Sequence, residues 1–309
     1  MLTTRMLMAA AAGSSSPSYG YFAGGSDGGD GVRADRITFS TGATAANTVS
    51  NLSQARWKLA GLSDGSTYGY FAGGRTGASG PPYNTVDRIT FSTGATAAHA
   101  ALSLARYALA GLSDGSTYGY FAGGFTGNVV ATADRVTFST GGIAASAVSN
   151  LSAARYSLAG LSDGSTYGYF AGGLTSSPMN LTDRITFSTG ATAANAVSNL
   201  SVAKYGPAGL SDGSTYGYFA GGVTNGVVVN TADRITFSTG ATAANTVSNL
   251  SQVGYGLAGV SDGSTYGYFS GYGVFTDRIT FSTGATAANT VSNLSQSRTF
   301  LAGLSDASV

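Results

Sequence analysis

The sequence predicts an all-β ring: a six-bladed β-propeller with four antiparallel strands per blade, closed by its C-terminal strand. Three observations predict it. The string YGYFAGG or a close variant begins at Tyr19, Tyr68, Tyr118, Tyr167, Tyr216 and Tyr266, in steps of 49 or 50 residues. A second block, DRITFS or DRVTFS, always follows, at Asp35, Asp87, Asp134, Asp183, Asp233 and Asp277. The inner-strand pattern occurs seven times, at Arg5, Arg56, Arg106, Arg155, Lys204, Gly254 and Arg298, once more than the other blocks. A four-stranded unit of this length cannot bury both faces alone, whereas radial stacking covers them and leaves only short, protected edges.

Taken in order, residues 1–18 read as an N-terminal arm or degenerate strand, and residues 19–309 as the propeller. RMLMAAAA (5–12) aligns with residues 56–62 as a worn copy of the repeat; a short signal-peptide core is the competing reading. Within one unit, residues 55–63 form the inner strand, and Asp64-Gly65 suits a type I′ turn. Residues 66–72 return, a variable loop follows, residues 87–92 are the third strand, and Thr93-Gly94-Ala95 turns into a fourth ending near Leu102-Ser103. A helix over 44–62 competes, since Val49, Leu52, Leu59 and Leu62 fall near helical spacing. The Thr, Ser and Asn of TVSNLS and the Gly of LAGL lower helix propensity there. SRTFLAGLSD (297–306) fits the consensus better than the first copy, and is expected to pair beside residues 19–25 and tie the chain ends together.

Composition narrows the function. A net charge of +1 with 9% charged residues favours neither nucleic acid nor an acidic membrane surface. There is no cysteine for a disulfide or thiolate site, and no apolar run of the ~18 residues that membrane insertion needs. All 14 acids are Asp: six precede the Arg of a DR block, six sit in hairpin turns, and only Asp27 and Asp30 stand apart. Residues repeated six times read as structural, so no enzyme activity is expected. His99, the sole histidine, replaces the Asn of sister repeats (Asn47, Asn195) and reads as a neutral substitution, leaving no His-based triad or multi-His metal site. Asp27, Asp30 and Asp35 in SDGGDGVRAD offer oxygen ligands that suit Ca²⁺, but read first as a polar loop. No metal and no cofactor are expected. The Gly-Gly doublets lack the helix and Lys-Ser/Thr of a phosphate loop, and serve tight turning or close approach to the next blade. Each DR arginine is expected to bridge blades by hydrogen bonds.

Internal variation is the informative signal. Between Gly-Gly and Asp-Arg the units differ, at residues 26–34, 75–86, 125–133, 174–182, 223–232 and a truncated 272–276, while SDGST and STGATAA stay nearly fixed. Alternating strand direction places these loops on the same end of the ring as the variable lead-ins to the inner strands, such as 54–58, 104–108 and 253–256. Diversified loops on a rigid scaffold suit recognition. The candidate contacts are Trp57, Lys58, Arg75, Tyr83, Phe125, Asn128, Met179, Asn180, Asn225, Asn230, Tyr272 and Phe275, whose aromatic and amide groups suit sugars.

The repeat resembles the kelch repeat: an early Arg on the inner strand and a hydrophobic strand ending in Gly-Gly. Arg56 with Gly73-Gly74 carries the likeness, as do Arg106 with Gly123-Gly124, Arg155 with Gly172-Gly173 and Lys204 with Gly221-Gly222. The last unit departs from it, with Gly254 and Gly271-Tyr272 at those positions. The outer-strand Trp of kelch repeats is also missing, Trp57 lying on the inner strand. The wording YGYFAGG…DRITFST is similar to repeats in virion-associated proteins of tailed phages, marine and cyanobacterial ones above all. That resemblance implies a virion-located adhesin of the tail-fibre or tail-tip type, its partners a host-surface glycan or protein and other virion proteins, with homo-oligomerisation left open. The alternatives are a structural virion component without a receptor role and an enzyme of the sialic-acid mutarotase type.

Overall fold

The computed structural model describes residues 18–307 apart from 28 and 30; the expectations for residues 1–17 therefore lie outside the described residues. Six four-stranded antiparallel sheets follow one another. In the second blade the strands run Ala60–Ser63, Tyr68–Ala72, Val86–Thr90 and Ala95–His99, paired in that order from the axis outward. Innermost strands of successive blades lie against one another all the way round. The first blade takes its innermost strand, Ala302–Ser305, from the far end of the chain, pairing Gly20 with Ser305 and Ala23 with Ala302. The predicted closure is therefore observed. A buried ion pair between Arg298 and Asp35 fixes the same seam.

The strands form because each face meets a neighbouring blade. YGYFA is buried on both sides as a near-continuous run, ADRIT alternates buried Asp and Ile with half-buried Arg and Thr, and the outer ATAA strands stay largely exposed. The core is accordingly six layers between blades. In each, the second Tyr of YGYFA stacks on the Phe of the next blade's ITFS block, from Tyr21–Phe91 at 5.9 Å round to Tyr268–Phe39 at 6.1 Å.

Side-chain chemistry explains four departures from the sequence reading. The fourth strand stops short of the expected Leu102-Ser103, at His99 in the second blade, and in the first the outer strand Ala43–Ala46 gives way to a 3₁₀ turn, Thr48–Ser50, before the chain crosses to Ala60–Ser63; the competing helix over 44–62 does not form. The inner hairpin is not a two-residue type I′ turn, because only Gly65 has positive φ and that turn needs two such residues. Instead the Asp64 carboxylate accepts the N–H groups of Ser66, Thr67 and Tyr68, making a four-residue loop. Each DR arginine lies over the first Tyr of YGYFA in its own blade, at 4.2 Å for both Arg36 on Tyr19 and Arg88 on Tyr68, a cation–π stack within the blade.

The fourth departure concerns His99. Five serines bridge the blade rims by donating to a turn carbonyl of the next blade, among them Ser50 to Gly94 O at 2.6 Å and Ser292 to Gly42 O at 2.6 Å. The second blade has a shorter outer connection without that serine, and its bridge runs from His99 Nε2 to Gly141 O at 2.8 Å. The histidine is a working part of the ring.

Candidate binding face

Gly-Gly doublets deliver the variable loops to one end of the ring. Gly73 and Gly74 have φ of +66° and +100°, and a Cβ on Gly73 would sit 2.6 Å from the backbone oxygen of Arg106 in the next blade. Gly74 donates its N–H to that oxygen at 2.9 Å. Just beyond, the two variable segments of a blade run side by side, with Trp57 bridged to Arg75, Tyr107 to Phe125, Tyr156 to Leu174 and Tyr205 to Val223. The predicted convergence on one face holds.

At the centre of this face lies a closed circle of backbone hydrogen bonds. Lys58 N–H donates to Phe300 O (2.8 Å), Ala108 to Lys58 O (2.7 Å), Ser157 to Ala108 O (2.7 Å), Gly206 to Ser157 O (2.7 Å), Gly256 to Gly206 O (3.1 Å) and Phe300 to Gly256 O (2.7 Å). All six residues have left-handed backbones, with φ between 54° and 67°. The four that are not glycine each carry a strain of about 1–2 kcal/mol, sustained because every one is held from both sides in the circle.

Around the circle stands an aromatic crown. Trp57 meets Phe300 edge-on at 5.3 Å, Phe300 meets Tyr255 at 5.1 Å, and Tyr255 meets Tyr272 at 5.3 Å. On the other side Phe125 packs between Tyr107 and Tyr156, 5.5 Å from each. Lys58 Nζ lies 4.6 Å from the centres of both the Trp57 and Phe300 rings, and the Arg75 guanidinium 4.6 Å over Tyr107. Neither cation has an ion-pair partner among the described residues. Trp57 Nε1 and Arg75 Nε are buried donors without acceptors, while Arg75 Nη2 donates to Ala78 O. Burial among rings, with Arg75 nearby, lowers the Lys58 ammonium to a pKa of about 8. The axial cavity inside the circle measures about 70 Å³, well below the several hundred Å³ of a pocket that engulfs a small molecule.

The structure thus gathers Trp57, Lys58, Arg75 and Phe125 of the sequence candidates, and links Tyr272 to them through Tyr255. Tyr272 and Phe275 are the only exposed aromatic residues among those described, at 39% and 48%. Asn225 sits at the exposed tip of the hairpin Val223–Thr224 with Val227–Val228, its φ of 48° followed by Gly226 at 79°. Asn128 is exposed and its carbonyl receives Thr126. The side-chain amides of Asn180 and Asn230 are engaged within their own blades, donating to Leu200 O and Leu250 O. Tyr83 and Met179 are half-buried, and their main chains fasten the loops to Gly74 O and Gly173 O. Sequence reasoning left out Tyr107, Tyr156, Tyr255 and Phe300. The signal for the tyrosines was the aromatic residue that follows the Arg, Lys or Gly position in RYA, RYS and GYG. Of the three aspartates near this loop, Asp35 is engaged by Arg298 and Asp27 faces Arg33 at 3.8 Å, while Asp30 lies outside the described residues.

The chain is a β-propeller. No protein-family model matches it, and no curated protein matches it. The likeness to kelch and tailed-phage repeats rests on the repeat wording quoted above.

Proposed function

We propose that this propeller is a non-catalytic binding protein that recognises a host-surface glycan or protein through the loop-bearing face. From its repeat wording we further propose a virion setting, as an adhesin of the tail-fibre or tail-tip type that also contacts other virion proteins. The observation that carries the binding reading is the crown at the axis: Trp57 and Phe300 flank an unpaired ammonium, and unpartnered donors line the same patch. Sugar rings stack on such aromatic faces while their hydroxyls and acidic substituents accept from the donors. The small axial cavity favours contact across a surface over enclosure of a substrate.

The test is binding of the purified protein to glycan arrays and host cells, alongside a Trp57→Ala/Lys58→Ala variant. The wild type is expected to bind and the variant to lose at least about tenfold in affinity, the loss typical of one buried aromatic anchor. Absence of wild-type binding, with the chain found in purified particles by mass spectrometry, would favour a purely structural virion component.

A further inference from the structure

The sixth blade breaks the repeat twice, and both breaks fall at one place. In the other five blades a buried cation on the lead-in to the inner strand pairs with the Asp of the DR block: Arg56–Asp87 at 2.7 Å, Arg106–Asp134 at 2.7 Å, Arg155–Asp183 at 2.6 Å, Lys204–Asp233 at 3.0 Å, and Arg298–Asp35. The carboxylate is one arm of a clamp. Arg106 also donates to the last aromatic carbonyl of the second strand, Phe121 O (2.9 Å), and to the loop carbonyl two residues before the Asp, Thr132 O (2.7 Å); Arg56 and Arg155 use the first of these acceptors, and Lys204 and Arg298 the second.

In the sixth blade Gly254 stands where the cation belongs, and the covering loop is the truncated one. The clamp remains. Phe269 pairs with Asp277 in the same register as Phe121 with Asp134, and Phe275 holds the position of Thr132. Asp277 is 94% buried; its Oδ1 has no hydrogen-bond partner among the described residues, and Oδ2 receives the Ser251 N–H at 3.2 Å. A narrow cavity of about 10 Å³ is lined by Asp277, Gly254, Val253, Tyr272 and Phe275. Those two rings are the exposed aromatics noted above, and Val253 is 46% exposed. An unpaired buried carboxylate is costly, and burial raises the pKa of Asp277.

We propose that this gap is a binding site for a guanidinium group on a short apolar stem, with Asp277 and the Phe269 and Phe275 carbonyls taking the donors and Tyr272 and Phe275 stacking on the stem and cation. The ligand restores in trans what the other blades hold in cis. Guanidinium is favoured over a simple ammonium because the clamp presents acceptors in several directions, which a planar fork meets better than a point charge. Tyr272 and Phe275 must swing outward to admit it, as their exposed positions allow. The site shares Tyr272 with the edge of the axial crown, but its test does not use Trp57 or Lys58.

Isothermal titration calorimetry of the full chain with methylguanidinium, with a short arginine peptide and with its citrulline counterpart tests this. Saturable binding of both guanidinium compounds, and none of the citrulline peptide, is expected. Tighter binding of the peptide than of methylguanidinium would identify a partner's arginine as the natural source; equal binding would identify a free small molecule. Gly254→Arg should abolish binding and raise the melting temperature. Because Leu257 and Tyr272 crowd a Cβ at 254, at 3.2 and 3.5 Å, Asp277→Asn serves as the second variant, with an expected loss of about tenfold or more. No saturable binding to the wild type, or undiminished binding to Asp277→Asn, overturns the proposal.

Discussion

His99 and five serines each supply one hydrogen bond between adjacent blade rims, and the chemistry of the bond is the same in all six places. Because Gly141 O can only accept, His99 Nε2 must carry the proton. Replacing His99 by Ala leaves that carbonyl without its partner, and should cost about 1–3 kcal/mol in equilibrium denaturation. Reading His99 as a neutral replacement for Asn missed this because the shorter outer connection of its blade shifts which residue reaches the neighbour. Lys58 carries a second expectation at this scale. Its folded-state pKa, about 8, lies below the ordinary lysine value, so between pH 8 and 10 the folded protein has released a proton that the unfolded chain still holds. Stability should therefore rise with pH over that interval. It should fall again above pH 10, where Tyr120, Tyr169 and Tyr218, pushed up to about 12 by burial, keep protons that the unfolded chain gives up. Urea denaturation across pH 7–11 checks both slopes, and Lys58→Met should remove the first.

Among the elements, the innermost strands bear the tightest geometric demand. Their central glycines form a second circle about the axis: a Cβ on Gly209 would lie 2.6 Å from Gly160 O, one on Gly111 2.5 Å from Gly61 O, and one on Gly303 2.5 Å from Gly259 O. Backbone meets backbone there, so nothing can give locally. Gly209→Ala should destabilise by about 1–3 kcal/mol or more, as overpacking does. Gly142→Ala in an outer strand restores the residue that sister repeats carry, and should be neutral or slightly stabilising; thermal denaturation of the pair gives the contrast. The strand order and the shared face of the variable segments were legible because the repeat fixes direction and count. The axial circle was not legible, since its left-handed positions are filled by Lys58, Ala108, Ser157, Gly206, Gly256 and Phe300, a set with no common residue signature. The hairpin was misread for a related reason: Asp-Gly signals a two-residue turn only when the carboxylate does not itself gather the following N–H groups.

For the whole molecule, stability depends on a seam. Its strand, ion pair and cap come together only when the chain's two ends meet: Ala302–Ser305 pairs with Tyr19–Ala23, Arg298 binds Asp35, and the Asp306 carboxylate accepts the N–H groups of Ser18 and Tyr19. A chain ending at residue 296 should lose all three and melt at a markedly lower temperature, and a synthetic peptide of residues 297–306 should recover part of the loss. The latch has a further consequence. Its AGLS core also forms the innermost strand of four other blades, so the empty berth beside Tyr19 cannot distinguish its own tail from that of another molecule. Refolding in dilute solution should give self-closed monomers, whereas refolding at high concentration should give chains that exchange tails and migrate as dimers and longer concatemers on native gels.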